Sequence, residues 1–181
     1  MKVFGIDPGS ERTGYGCIDS DGSRHTLVTC GAIAAPSTSA FPDKLHVIHT
    51  GLGRLLAELR PDCVAVESVF YAKNVRSALK LGHARGVALL AAVQAGLPVF
   101  EYAPAEIKQA VVGYGRAEKQ QVGEMVRMIL GLADVPEPHD AADALAVAIC
   151  HVHTSGGPVA HLLATPAKGA RQPKSWREYR P

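Results

Sequence analysis

A short apolar run, Lys2-Val3-Phe4-Gly5-Ile6, ends on Asp7, and Pro8-Gly9 turns the chain at once. β-Branched and aromatic residues at that density predict a strand, with Asp7 at its carboxyl end. A second apolar run, Cys63-Val64-Ala65-Val66, is of the kind buried on both faces of a sheet, and it ends on Glu67. Open α/β sheets build their sites at such strand ends. A carboxylate placed there must be solvated, paired or metal-bound. Taken alone, Asp7-Pro8-Gly9 reads equally well as the start of an Asx-turn.

Two more acids, Asp140 and Asp143, lie three apart within Pro136–Cys150, a stretch that predicts an alanine-rich helix with both acids in its first turn. On a helix they share one face, roughly 5–6 Å apart at Cβ. The same spacing resembles a capping box, with Asp140 as N-cap at the helix's positive end. Ala141, Ala142, Ala144, Leu145, Val147 and Ala148 leave no wide polar face, so the helix should lie against the sheet with its acids near Asp7 and Glu67. Four carboxylates in one cleft repel unless a cation neutralises them, and oxygen-only ligands select Mg²⁺, or Mn²⁺ in its place, over zinc. Two such ions per subunit, about 4 Å apart, activate a water and stabilise the leaving oxygen of a phosphate. The chemistry implied is phosphodiester hydrolysis.

The elements that must position these acids follow from patterning. Val3–Ile6, Thr13–Ile18 and Thr26–Ile33 read as strands of an antiparallel meander, with Asp19–Ser23 as a turn. Phe41-Pro42-Asp43 opens a helix whose Leu45, Ile48, Leu52, Leu55, Leu56 and Leu59 recur at helical spacing until Arg60-Pro61-Asp62 stops it. A second helix, Asn74 to Ala95, carries Val75, Ala78, Leu79, Gly82, Gly86, Leu89, Leu90 and Val93 on one face, fit either for a second subunit or for the chain's own sheet. Leu97–Tyr102 gives a fifth strand, Pro104 starts a helix, and Glu118–Leu130 forms another with Val122, Met125, Val126, Ile129 and Leu130 inward. An α/β chain of this order, with acids after strands one and four and on a late helix, resembles the ribonuclease H-like fold, a five-stranded mixed sheet flanked by helices.

Length and charge set the remaining bounds. At 181 residues the chain suits one domain, residues 1–153, followed by a basic tail, 154–181, that should be mobile. The tail holds five basic residues (Lys168, Arg171, Lys174, Arg177, Arg180) against Glu178, and it includes Trp176, so the net +2 of the whole conceals a slightly acidic body. Lys73, Arg76 and Lys80 fall on one helical face beside the loop after Glu67, where phosphate contact competes with simple solvation. Phe70-Tyr71 is an unusual aromatic pair for a loop unless a base stacks on it. No window approaches the roughly 18 apolar residues of a membrane span, and the chain reads as cytoplasmic. Cys17, Cys30, Cys63 and Cys150 are widely separated and read as buried thiols.

Gly5-Ile6-Asp7-Pro8-Gly9, Glu67 with Phe70 and Ala72-Lys73-Asn74, Ser77–Gly82, Ala84-Arg85-Gly86-Val87, Val99–Tyr102, Val111-Val112-Gly113, Ala117-Glu118-Lys119 and Asp140–Ala146 together resemble the bacterial RuvC Holliday junction resolvases over residues 1–153. The resemblance implies metal-binding acids at Asp7, Glu67, Asp140 and Asp143. Some members carry His in place of the third acid, and His139 adjoins Asp140 here. It further implies a homodimer that cuts four-way junction DNA during recombination and repair, with the RuvA-RuvB branch-migration complex as partner. Phe70 would enter the junction, and Lys108 and Lys119 would serve DNA binding and cleavage. Two other readings were weighed. A sugar-kinase nucleotide domain shares the opening motif but needs a second lobe, and a non-catalytic junction binder would not need four acids. A nuclease of the same fold acting on another branched or RNA-containing substrate is the nearest rival.

Overall fold

The computed structural model describes residues 1–68 and 74–155. The elements run β1 (Lys2–Asp7), β2 (Arg12–Ser20), β3 (His25–Ala34), α1 (Phe41–Leu59), β4 (Cys63–Glu67), α2 (Val75–Gln94), β5 (Val99–Tyr102), α3 (Pro104–Val112), α4 (Lys119–Ile129) and α5 (His139–Ser155). The strands form one sheet in the order β3-β2-β1-β4-β5. β1, β2 and β3 pair antiparallel as the predicted meander, and β1, β4 and β5 pair parallel. The β2–β3 turn closes on Asp21, whose Oδ1 accepts the Ser23 and Arg24 backbone N–H groups at 2.9 and 2.8 Å. Those bonds favour the ionised form and bring its carboxyl down to about 2.

Side-chain alternation along the strands divides the core between the two faces of the sheet. Val3, Ile18, Cys63 and Ala65 pack with α3, α4 and α5, whereas Phe4, Ile6, Cys17, Val64 and Val66 pack with α1 and α2. Each fully buried Val, Ile or Phe contributes about 1.5–3 kcal/mol of transfer free energy, so both faces are firmly held. In α1 the predicted stripe holds: Ile48, Leu52 and Leu56 are buried, with Leu45, Leu55 and Leu59 packed beside them.

Two readings are corrected. The leucine-bearing stripe of α2 does not pack on the chain's own sheet; Ala84, Ala88, Ala91 and Ala92 do, and Val75, Leu79, Leu90 and Val93 are exposed. Alanine lets α2 lie close to the sheet, which turns the bulkier residues outward. α5 begins at His139, after Pro138, so Asp140 is inside the first turn and is not the N-cap. The helix runs on to Ser155, and all its residues from Ala144 to Val152 are buried.

What seats α5 is the absence of side chains beneath it. A Cβ built on Gly5 would stand 2.0 Å from the Ala144 carbonyl oxygen, one on Gly14 2.0 Å from that of Asp140, and one on Gly16 2.6 Å from Leu145 Cγ. No Cβ tolerates such distances, so glycine at these positions fixes both the depth of α5 and the height at which its acids stand over the sheet.

Candidate active site

β1 and β4 are parallel neighbours with Ile6 level with Val66, so Asp7 and Glu67 emerge side by side at the carboxyl end of the sheet. By alternation both belong to the face covered by α5, since Val3 and Ala65 of the same parity lie in that core. The two side chains are hydrogen-bonded to each other. Burial, then the Glu67 charge, drives the Asp7 carboxyl far above its ordinary value. Glu67 is also raised, by burial above all.

The third acid is Asp143, one turn into α5, close enough that its charge raises both strand-end acids. Lys119 opens α4, and its Nζ donates to Asp143 Oδ2 at 2.7 Å. That bond raises the lysine's own pKa, and the ammonium in turn lowers those of Asp7 and Glu67. Lys108 of α3 also faces the group, since its charge lowers Glu67. Lys119, Asp143 and His139 line a cleft of about 560 Å³ with Gln120, Gly123 and Val135.

Asp140 stands apart. Its backbone rests on Gly14, the register partner of Asp7, but its Oδ2 turns to Arg12 Nη1 at 3.7 Å. Arg12 was missed in the sequence, because only the β1–β2 register brings the first residue of β2 to the mouth of α5. The neighbouring Pro8–Glu11 turn is tied down by an ion pair between Glu11 and the buried Lys44. Lys80 acts electrostatically on the same Glu11 and lies 5.6 Å from the Phe41 ring centroid. Arg76 is exposed on the first turn of α2. Phe70, Tyr71 and Lys73 lie outside the described residues, as do Trp176 and the basic residues of the tail.

The donor set fits a hard divalent cation. Asp7, Glu67 and Asp143 offer only oxygen, and two buried carboxylates in contact cannot both ionise without a compensating positive charge. The Lys119 ammonium pairs with Asp143, and Arg12 pairs with Asp140. Among the described residues no three acids, histidines or cysteines converge as a ready-made metal cage.

Similarity to known proteins extends over most of the chain. Residues 3–151 match the family model described as crossover junction endodeoxyribonuclease RuvC. A protein of that description from Trichlorobacter lovleyi is 52% identical over 182 residues, covering 100% of both chains. Among solved structures, Thermus thermophilus RuvC superposes with a TM-score of 0.79 at 37% identity, covering 86% of this chain and 95% of that one. The same protein in complex with Holliday junction substrate gives 0.78 at 35% identity, with the same coverage.

Proposed function

The chain belongs to the RuvC family of crossover junction endodeoxyribonucleases, and from that premise we propose that it resolves four-way DNA junctions by hydrolysis at Asp7, Glu67, Asp140 and Asp143, in recombination and repair. The observation that carries this reading is the placement of buried Asp7 and Glu67 side by side at the carboxyl end of a parallel strand pair, with Asp143 of α5 near enough for its charge to raise both. Mg²⁺, with Mn²⁺ as substitute and two ions per subunit, would there activate a water and stabilise the leaving oxygen. Asp7 and Glu67 hold the inner side of that centre, and Asp143 and Asp140 its outer side from α5. Lys119, 80% exposed at its side chain, swings from Asp143 toward the scissile phosphate.

Lys108, Arg76 and Lys80 are assigned to DNA backbone contact, with Lys73, and the aromatic pair Phe70-Tyr71 to stacking at the junction. The Thermus thermophilus complex supports a four-way junction as the substrate of this chain too. Paired cutting requires two centres, and the exposed apolar face of α2 supports a homodimer. Ala78, Leu79, Gly82, Gly86 and Leu90 of α2 line a groove with Leu45 of α1 there, and neither glycine has an atom within 4 Å of a built Cβ. A RuvA-RuvB-type branch-migration complex is the protein partner the family implies. We assign residues 1–153 to the nuclease and 154–181 to a basic extension that strengthens DNA affinity at low salt. No described helix is long and apolar enough to cross a membrane, and chromosomal DNA as substrate places the protein in the cytoplasm.

The test is digestion of a mobile synthetic four-way junction in Mg²⁺ with both cuts mapped. Symmetric nicks in two strands of like polarity are expected. Equal cleavage of plain duplex, or single unpaired nicks, contradicts the assignment.

A further inference from the structure

At the opposite end of the sheet from the acids, His25 at the start of β3 meets His153 in the last turn of α5. Their Nε2 atoms stand 3.2 Å apart, with ring centroids 5.2 Å apart and planes inclined at 50°. Each ring is fixed by its other nitrogen. His153 Nδ1–H donates to the Ala110 carbonyl of α3 at 3.0 Å, which leaves its Nε2 as a bare lone pair. His25 Nδ1 lies 2.8 Å from Ser20 Oγ, and that hydroxyl oxygen accepts the Gly22 N–H at 3.0 Å.

This is the arrangement by which proteins orient imidazole ligands, with the outer nitrogen held by a carbonyl or hydroxyl and the inner one presented. Two nitrogens each about 2.0–2.1 Å from a tetrahedral zinc lie roughly 3.3 Å apart, so the observed spacing matches that of two ligands on one ion. We propose that His25 and His153 form a two-histidine site for Zn²⁺ or another imidazole-seeking transition ion, distinct in place and chemistry from the oxygen-lined centre. Among the described residues no third His, Cys, Asp or Glu completes a cage, so the remaining positions belong to solvent. The site is therefore an open one of modest affinity.

Without metal the same geometry closes as a hydrogen bond, His25 Nε2–H donating to His153 Nε2 while Ser20 O–H donates to His25 Nδ1. Metal entry moves the His25 proton from Nε2 to Nδ1, where Ser20 Oγ accepts it in place of donating. The move is within one ring, so it releases no proton. Burial and the neighbouring His153 favour the neutral ring of His25, against the opposing pull of Asp21. An ion here would join the β2–β3 hairpin to the end of α5, which α3 already holds through Ala110. It binds the folded chain alone and so stabilises it.

The full-length protein in excess Mg²⁺ is titrated with ZnCl₂ by calorimetry, beside His25→Gln, His153→Gln and, as control, His46→Gln on the exposed face of α1. One zinc per chain at micromolar affinity is expected for wild type and control, with at least a tenfold loss in each of the other two. Imidazole ¹⁵N spectra of the wild type provide the readout if either variant fails to fold: at one equivalent of zinc the Nε2 resonances of His25 and His153 should shift together. Nε2 signals that stay in place, or variants that bind zinc as tightly as wild type, overturn the proposal.

Discussion

α5 and α2 are both alanine-rich, and they lie against opposite faces of the same sheet. α5 is buried throughout from Ala144 to Val152, over glycines that admit it to the sheet at backbone distance. α2 buries only Ala84, Ala88, Ala91 and Ala92 and leaves Leu79 60% and Leu90 50% exposed. Alanine sets a close approach in both. In α5 that closeness positions acids, and in α2 it leaves a face of larger residues exposed.

The contrast breaks most severely at Gly5. Gly5→Ala drives a methyl into the α5 backbone and should cost about 3 kcal/mol or more, read by urea denaturation, with loss of cleavage. An unchanged midpoint would show that α5 is not seated as described. On the other face, Leu79→Glu combined with Leu90→Glu should convert a dimer to a folded monomer by light scattering, since like charges would meet across the groove. A variant that stays dimeric removes α2 from the interface.

A subtler effect belongs to the acids. The folded Asp7 carboxyl is raised from 3.8 to about 8, so in metal-free buffer the stability present below pH 4 is lost as pH climbs through that range. Asp7→Asn should therefore melt higher than wild type at pH 8, by roughly 2–4 °C for each kcal/mol relieved, and equally at pH 4. Added Mg²⁺ should narrow the gap at pH 8. A wild type that is the more stable at pH 8 without metal would contradict the raised Asp7 carboxyl. The smallest effect is expected at Gly82: Gly82→Ala should add up to about 1 kcal/mol of helix propensity to the monomer while weakening dimerisation, because nothing in the chain itself meets the new methyl.

Asp7 and Glu67 were legible in the sequence because strand ends are local: an apolar run, an acid and a turn are read from adjacent residues. Asp143 followed from helical spacing and the want of any polar face on its helix. The buried face of α2 was not legible, since periodicity reveals a stripe but not whether the chain or a partner covers it. The ion pair of Arg12 with Asp140 depends on strand register, and the reach of Lys119 and Lys108 depends on how α4 and α3 dock. Spacing reveals neither, and the two lysines came from family resemblance alone. Lys44, buried against Glu11, ran against the expectation that lysine stays in solvent.

The central claim is that acids from β1, β4 and α5 act as one cutting centre. Junction cleavage and junction binding measured side by side for wild type and Asp7→Asn in saturating Mg²⁺ test it most directly. The account predicts cleavage reduced at least a thousandfold (about 4 kcal/mol) with binding within a fewfold of wild type. Near wild-type cutting by Asp7→Asn would contradict it.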